Sequence, residues 1–336
     1  MKILVLGRYA LGVCASITFA ACSSGGSQLA PSAASGQSAA SHQAAAASIY
    51  LAKTSADSAF EVHPSRKQSW MTADAAGNDL LYISSDFSDS IYVYSYPKRQ
   101  LVGTLTGFTT PGGLCADKTG NVWITNGTSI LEYAHGGASP IATLKDPGYF
   151  VSGCSVDPTT GNLAVTNFEN RKRTGRGSVA IYTNGRGNPT NYVDTNIFYY
   201  YYCGYDNKGN LYVDGTLSGG KFVFAELPKG SSTFTDVALL ETIESPGGVQ
   251  WDGKYVVIGD RDEPYIYQYT ISGSTGREIG STPLIAGITQ FWIQGRKVVG
   301  PNPEGGVGIW NYPTGGNYQK LHYEVPGSGS TISLAK

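Results

Sequence analysis

Six oxygen-bearing side chains recur at one place in a repeating pattern, each closing a short apolar stretch: Asp86, Asn126, Asn167, Asp214, Asp260 and Asn302. Carboxylates and carboxamides are hard donors, and gathered around one axis they would suit a divalent cation such as Ca²⁺. Asn and Asp also cap turns at strand ends by bonding the nearby backbone, so the same residues fit a local role equally well. Aromatic residues stand beside them, as Tyr149-Phe150, the run Tyr199 to Tyr202, and Phe291-Trp292. Rings of this kind with a few polar groups suit a sugar or a peptide side chain. Alternation along a strand lets at most two of the four tyrosines face a ligand, and Tyr200 and Tyr202 are the expected pair. An insertion from Asn167 to Gly177 adds the cations Arg171, Lys172, Arg173 and Arg176. These could attract a carboxylate or phosphate, or simply remain solvated.

The elements that must position these groups are read from Pro111 to Leu144, which returns along the chain in altered form. Gly113 to Ala116 reads as a small-residue strand, and Asp117-Lys118-Thr119-Gly120-Asn121 as a tight turn in which Asp bonds its own backbone and Gly takes positive φ. Val122 to Thr125, Ser129 to Tyr133 and Ile141 to Leu144 follow as three further strands. The turn glycine recurs at Gly77, Gly120, Gly161, Gly209, Gly253 and Gly295, with spacings of 43, 41, 48, 44 and 42 residues. Periods of this size point to blades of four strands. The chain is therefore expected to be all-β, a six-bladed β-propeller of four-stranded antiparallel blades. The C-terminal segment Pro326-Gly327-Ser328-Gly329 followed by Thr331 to Leu334 repeats the Pro-Gly-Gly entry of Pro111 and Pro246. Closing the ring removes exposed edges, so Thr331 to Leu334 is expected to complete blade one beside Leu80 to Ser84. Ser69 to Ala73 competes for that innermost position.

Composition agrees with a turn-rich all-β domain: 44 glycines, 23 tyrosines and 15% charged residues. A formal net charge of −1 gives no electrostatic reason to expect nucleic acid as a partner. Of five cysteines, Cys115, Cys154 and Cys203 stand just before the turn Asp of successive blades. In matching registers Cys115 and Cys154 face each other across a blade junction. A Cys115–Cys154 disulfide and three buried thiols are both open readings.

Residues 1–21 carry Lys2 and Arg8, an apolar run, and then Phe19-Ala20-Ala21-Cys22. This resembles a bacterial lipoprotein signal peptide, which implies cleavage and lipidation at Cys22. Residues 22–47, rich in Ser, Ala, Gly and Gln, read as a disordered tether of roughly 28 Å root-mean-square span, with the propeller occupying residues 48–336. A monomer held to the bilayer of the bacterial envelope by its N-terminal lipid is expected. Ser23 after the cysteine leaves open which membrane that is.

The glycine-asparagine turn followed by Leu or Val, Tyr or Trp, and Val or Ile, at this period, resembles the six-bladed NHL-repeat group and its gluconolactonase-like relatives. The phrases LEYAHGG, DPTTGNLAVTN, AELPKGSSTF and GGVQWDGKYV resemble bacterial propeller lipoproteins, a likeness that implies no particular chemistry. The gluconolactonase-like resemblance implies a divalent metal held by a Glu, two Asn and an Asp, and the Glu has no counterpart on an innermost strand here. No G-x-S-x-G elbow, H-E-x-x-H or phosphate-cradling loop occurs, and His42, His63, His135 and His322 are scattered. The expected function is a non-catalytic propeller binding a small molecule, glycan or protein on one face. The alternative is a metal-dependent hydrolase of lactone or ester type.

Overall fold

The computed structural model describes residues 68–336 except 147, 241–242, 302–305, 317 and 322–326. The signal, the tether with Cys22 and His42, residues 48–67 with His63, and Asn302 and His322 lie outside the described residues. Six antiparallel sheets follow one another as the blades of a propeller, and the described residues include no α-helix. The innermost strands are Gly329–Ser333, Pro111–Ala116, Tyr149–Val156, Tyr199–Tyr205, Pro246–Trp251 and Trp292–Gln294, for blades one to six.

Closure joins the two ends of the domain in blade one. Gly329–Ser333 pairs with Asp79–Ser85, from Leu80 opposite Ser333 to Ser84 opposite Gly329. The expected partner segment is thus in place, with its own bounds one to two residues earlier. The N-terminal segment takes the outer edge instead, where Trp70–Met71 pairs with Leu101–Leu105. His135 of blade two clasps the closed junction, its Nδ1 2.6 Å from Ser333 Oγ and its Nε2 3.0 Å from the carbonyl of Asn78.

The blades are held together by apolar clusters at each junction. Leu80, Tyr82, Val93, Leu114 and Ile124 fill the space between blades one and two. Leu81, Ile83, Val299, Ile309 and Ile332 close the ring between six and one. Burying a large side chain contributes about 1.5–3 kcal/mol. These clusters, together with the paired edges, are what keep the ring shut.

The local chemistry of the turns follows the repeat. Asp117 Oδ1 accepts from the backbone N–H of Thr119 and Asn121, while Gly120 adopts φ +89°. Asp157, Asp206 and Asp252 accept turn amides in the same way. A second repeated device lies deeper. The innermost strands of blades two to five each bulge, at residues 112–113, 152–153, 201–202 and 247–248, opposite Thr125, Thr166, Asp214 and Gly259 of their second strands. Ser84, Thr125 and Thr166 donate from these depths to the next blade's innermost strand, at the carbonyls of Gly112 (2.5 Å), Ser152 (2.9 Å) and Tyr201 (2.7 Å).

Candidate functional site

The axial channel has two mouths. One is ringed by the starts of the innermost strands and the ends of the second strands, and is called the entry mouth below. The other is ringed by the ends of the innermost strands and their Asp turns, the exit mouth.

A cavity of about 350 Å³ opens on the exit mouth. Its wall is built from residues of the innermost strands in blades two to six, among them Tyr205, Gln250, Trp251 and Trp292. Gln290 bounds it on the inner side. This side chain leaves blade six and reaches blade two, where Oε1 accepts from Leu114 N–H (2.6 Å) and Nε2 donates to Leu114 C=O (2.8 Å). The carboxamide thus pairs with the free inner edge of a strand as a neighbouring strand would. Glycines make the path: a Cβ on Gly113 would lie 3.0 Å from Gln290 Oε1, and one on Gly329 2.6 Å from it.

The exit cavity carries little charge. Asp206 is the single charged side chain in its lining, and it is occupied by Lys208 N–H, Asn210 N–H and Asn210 Nδ2. Gln250 Oε1 accepts from Ile293 N–H (2.6 Å), which leaves its amino end without a described partner. Cys115 and Cys154 lie in the wall as a disulfide with Cα atoms 5.7 Å apart, tying blade two to blade three. Cys203 lines the same cavity as a buried thiol, and burial pushes its pKa up, as expected of an inert structural cysteine.

At the entry mouth, the described members of the oxygen row stand at two depths. Asn126, Asn167 and Asp260 share one register, opposite Pro111, Val151 and Pro246. Asp214 sits one step deeper, in the slot that Thr125 and Thr166 fill in the preceding blades. Several of the donors are committed nearby, while Asn167 Oδ1 and Asp214 Oδ2 are buried without a partner. Asn126 Oδ1 accepts from Thr109 and Thr110 N–H, and the Asp260 carboxylate from Glu244, Ser245, Asp262 and Glu263 N–H. Asn167 Nδ2 donates to Asp146 Oδ2 and Ser178 Oγ, and Asp86 Oδ1 accepts from Ser328 Oγ. Among the described residues no group of three or more His, Cys, Asp or Glu gathers in a metal-holding arrangement. Asn126 and Asp260 thus cap strand ends, whereas Asn167 Oδ1 is buried without a partner.

The tyrosine run has the opposite phase to the expected one. Tyr200 is fully buried, exchanging hydrogen bonds with Asp194, and Tyr202 is 8% exposed, whereas Tyr199 and Tyr201 are half-buried. The bulge at Tyr201-Tyr202 breaks the simple alternation on which the expectation rested. Phe168 stacks on Tyr199 at 4.7 Å and meets the edge of Tyr201 at 5.1 Å. Tyr149 and Phe150 are half-buried at this mouth. Phe291 and Trp292 belong instead to the exit cavity. Of the basic loop, Arg171 and Lys172 are exposed, while Arg173 lies 3.9 Å from Glu169 and over Phe150. Arg176 is pinned to the carbonyls of Asp194, Thr195 and Ile197.

Sequence reasoning passed over Gln290, Trp251 and Arg261. Trp251 carried a usable signal, since it immediately precedes the turn Asp252 at the end of an innermost strand. Gln290 carried none, because its partner lies on a blade far away in sequence.

No family model matches the chain, and no curated protein matches it in sequence. Among solved structures, the chain is similar to one in a crystal structure of a nidogen/laminin complex. The TM-score is 0.62 at 14% identity, covering 77% of this chain and 99% of that one. A protein of unknown function from Bacteroides caccae gives a TM-score of 0.58 at 12% identity, covering 76% and 99%. At these identities the likeness is one of fold, and the fold is a six-bladed β-propeller.

Proposed function

We propose that this chain is a lipid-anchored protein of the bacterial envelope whose propeller binds a small uncharged molecule, without catalysis, in the axial cavity at the exit mouth. The observation that carries the reading is the cavity itself: about 350 Å³, walled by Tyr205, Trp251 and Trp292, and bounded by the Gln290 carboxamide. That volume lies at the small end of ligand sites, which combine aromatic walls with a few polar groups. Its lining has no Lys or Arg to attract an anion, and its one carboxylate is engaged in a turn. A neutral ring compound bearing hydroxyl or carbonyl oxygens matches aromatic faces and carboxamides, and a sugar is the commonest such compound.

The anchor rests on the sequence from Lys2 to Cys22. Membership of the NHL-repeat or gluconolactonase-like group remains a resemblance of motif. The hydrolase alternative is the weaker reading because the oxygens of Asn126 and Asp260 are taken up by backbone amides.

Two tryptophans in the wall make the test direct. Intrinsic fluorescence of the soluble domain is titrated with glucose and N-acetylglucosamine, alongside a melting curve. Saturable quenching that disappears in Trp251→Ala and Trp292→Ala supports the reading. No saturable response, or a response that survives both substitutions, overturns it. For the anchor, metabolic palmitate labelling is expected to be lost in Cys22→Ala, and a label that persists refutes lipidation there.

A further inference from the structure

The entry mouth between blades three and five holds a cluster that the exit cavity does not explain. Arg261 follows the last residue of blade five's second strand, and its guanidinium lies 5.3 Å from the centre of the Tyr201 ring. Tyr202 adjoins it as well. The rings continue in a file, from Arg261 over Tyr201 to the edge of Phe168 and onto Tyr199.

No carboxylate pairs with this half-buried arginine. The ion pairs among the described residues are Arg173 with Glu169 and Arg186 with Glu132, and Arg261 is in neither. A guanidinium has five N–H donors and is charged at any physiological pH. The Tyr201 ring takes its face, and among the described residues no hydrogen bond from its guanidinium reaches a carboxylate or carbonyl. The exposed Asp262 next in the chain adds a field without an ion-pair contact.

The second observation is Asp214. It stands where Thr125 and Thr166 stand in blades two and three, is fully buried, accepts from Tyr202 N–H at 2.7 Å through Oδ1, and leaves Oδ2 with no partner. Blade four has therefore replaced an inter-blade tie with a buried acid beside Arg261, yet the two do not pair. Burial pushes the Asp214 carboxyl well above the usual carboxylate range, against the opposing influence of Tyr202 N–H and Arg261. That shift weakens its part as a counter-charge to the guanidinium.

We propose that Arg261 is the anion-binding group of a second ligand site, which takes a small organic carboxylate, its charged end on the Arg261 guanidinium and its apolar part against the half-buried rings of Tyr201 and Tyr199. A carboxylate suits the planar fork of an arginine and engages it with two parallel hydrogen bonds. The aromatic file beside it favours a flat or cyclic remainder over a bare inorganic anion. The site is independent of the exit cavity, on the other mouth of the channel, so either can fail without the other.

The test is calorimetric titration of the soluble domain with sodium benzoate, with benzyl alcohol as the uncharged counterpart. Benzoate is expected to bind saturably and at least tenfold more tightly than benzyl alcohol. Arg261→Gln is expected to weaken benzoate at least tenfold, and Arg261→Lys to keep part of the affinity, with melting curves showing that each variant is folded. The double variant Arg171→Ala, Lys172→Ala should leave benzoate binding unchanged, since those side chains are outside the file of rings. Equal binding of alcohol and acid, no saturable benzoate binding, undiminished binding in folded Arg261→Gln, or an equal loss in the Arg171 and Lys172 variant each overturns the proposal.

Discussion

The two mouths of this propeller use the same residue types to opposite effect. At the exit mouth, Asp117, Asp157, Asp206 and Asp252 direct their carboxylates back onto their own turns, and the cavity they surround is nearly uncharged. At the entry mouth, Asn126 and Asp260 do the same, but Asn167 Oδ1 and Asp214 Oδ2 are buried without a partner, and Asp214 and Arg261 stand side by side without an ion pair among half-buried rings. A recurring polar residue is thus a poor guide to ligand chemistry when its repeat places a backbone amide within reach. The better guide is the blade that departs from the pattern, as blade four does in placing Asp where its predecessors have Thr.

Perturbing the ring that both mouths share should give the largest effect. Deleting residues 327–336 removes blade one's innermost strand and the Ile332 contact with the junction to blade six. A fall in melting temperature of more than ~10 °C, or loss of the cooperative transition, is expected. A melt unchanged by the deletion would mean that the ring does not depend on this strand.

The disulfide in the exit wall comes next. It closes a separation of 39 residues, and by chain entropy its removal in Cys115→Ala, Cys154→Ala costs about 3–4 kcal/mol. Denaturant unfolding measures the loss. Sugar binding in the cavity should weaken in parallel, with benzoate binding unaffected.

Gln290→Ala sharpens the contrast between the mouths. It leaves Leu114 N–H and C=O without their partner in the channel, at a cost of about 1–3 kcal/mol where water does not replace it. It also removes the inner boundary of the exit cavity. Quenching by sugars should weaken, while the benzoate titration should stay as in the native chain.

The smallest effect is expected from Asp214→Asn, read as melting temperature against pH. Because burial raises the Asp214 pKa above its unfolded value, the destabilisation it causes is absent below about pH 4 and grows as the pH rises toward the folded value. Asparagine keeps the acceptor for Tyr202 N–H and cannot ionise. The variant should therefore match the native chain at pH 4 and melt a few degrees higher at pH 8. A native chain that gains stability over the variant as pH rises would reverse the sign and imply an ionised, compensated Asp214.

Much of the architecture was legible because it is periodic. The glycine-asparagine turns fix where each blade begins, since Gly120, Gly161 and Gly209 all need positive φ, and the alternation of Val122 to Thr125 or Leu211 to Asp214 marks their second strands. The Pro-Gly-Gly echo near the C-terminus similarly located the closing strand beside Leu80 to Ser84. The sites were less legible, for identifiable reasons. Strict alternation placed Tyr200 and Tyr202 toward a ligand, and a single bulge reversed the phase. A one-residue offset likewise removed Asp214 from the row that it shares in sequence with Asn126 and Asn167.

By itself, the sequence determined the repeat, the turn chemistry, the blade count and the manner of closure, because each depends on residues a few positions apart or on a recurring local motif. Only the tertiary structure decided which side chains meet across the axis. Gln290 reaches Leu114 across 176 residues of chain, and Arg261 lies over Tyr201 from the following blade. Such meetings depend on how bulged strands are aimed once the ring is shut, a property of the closed assembly of blades that no local pattern encodes.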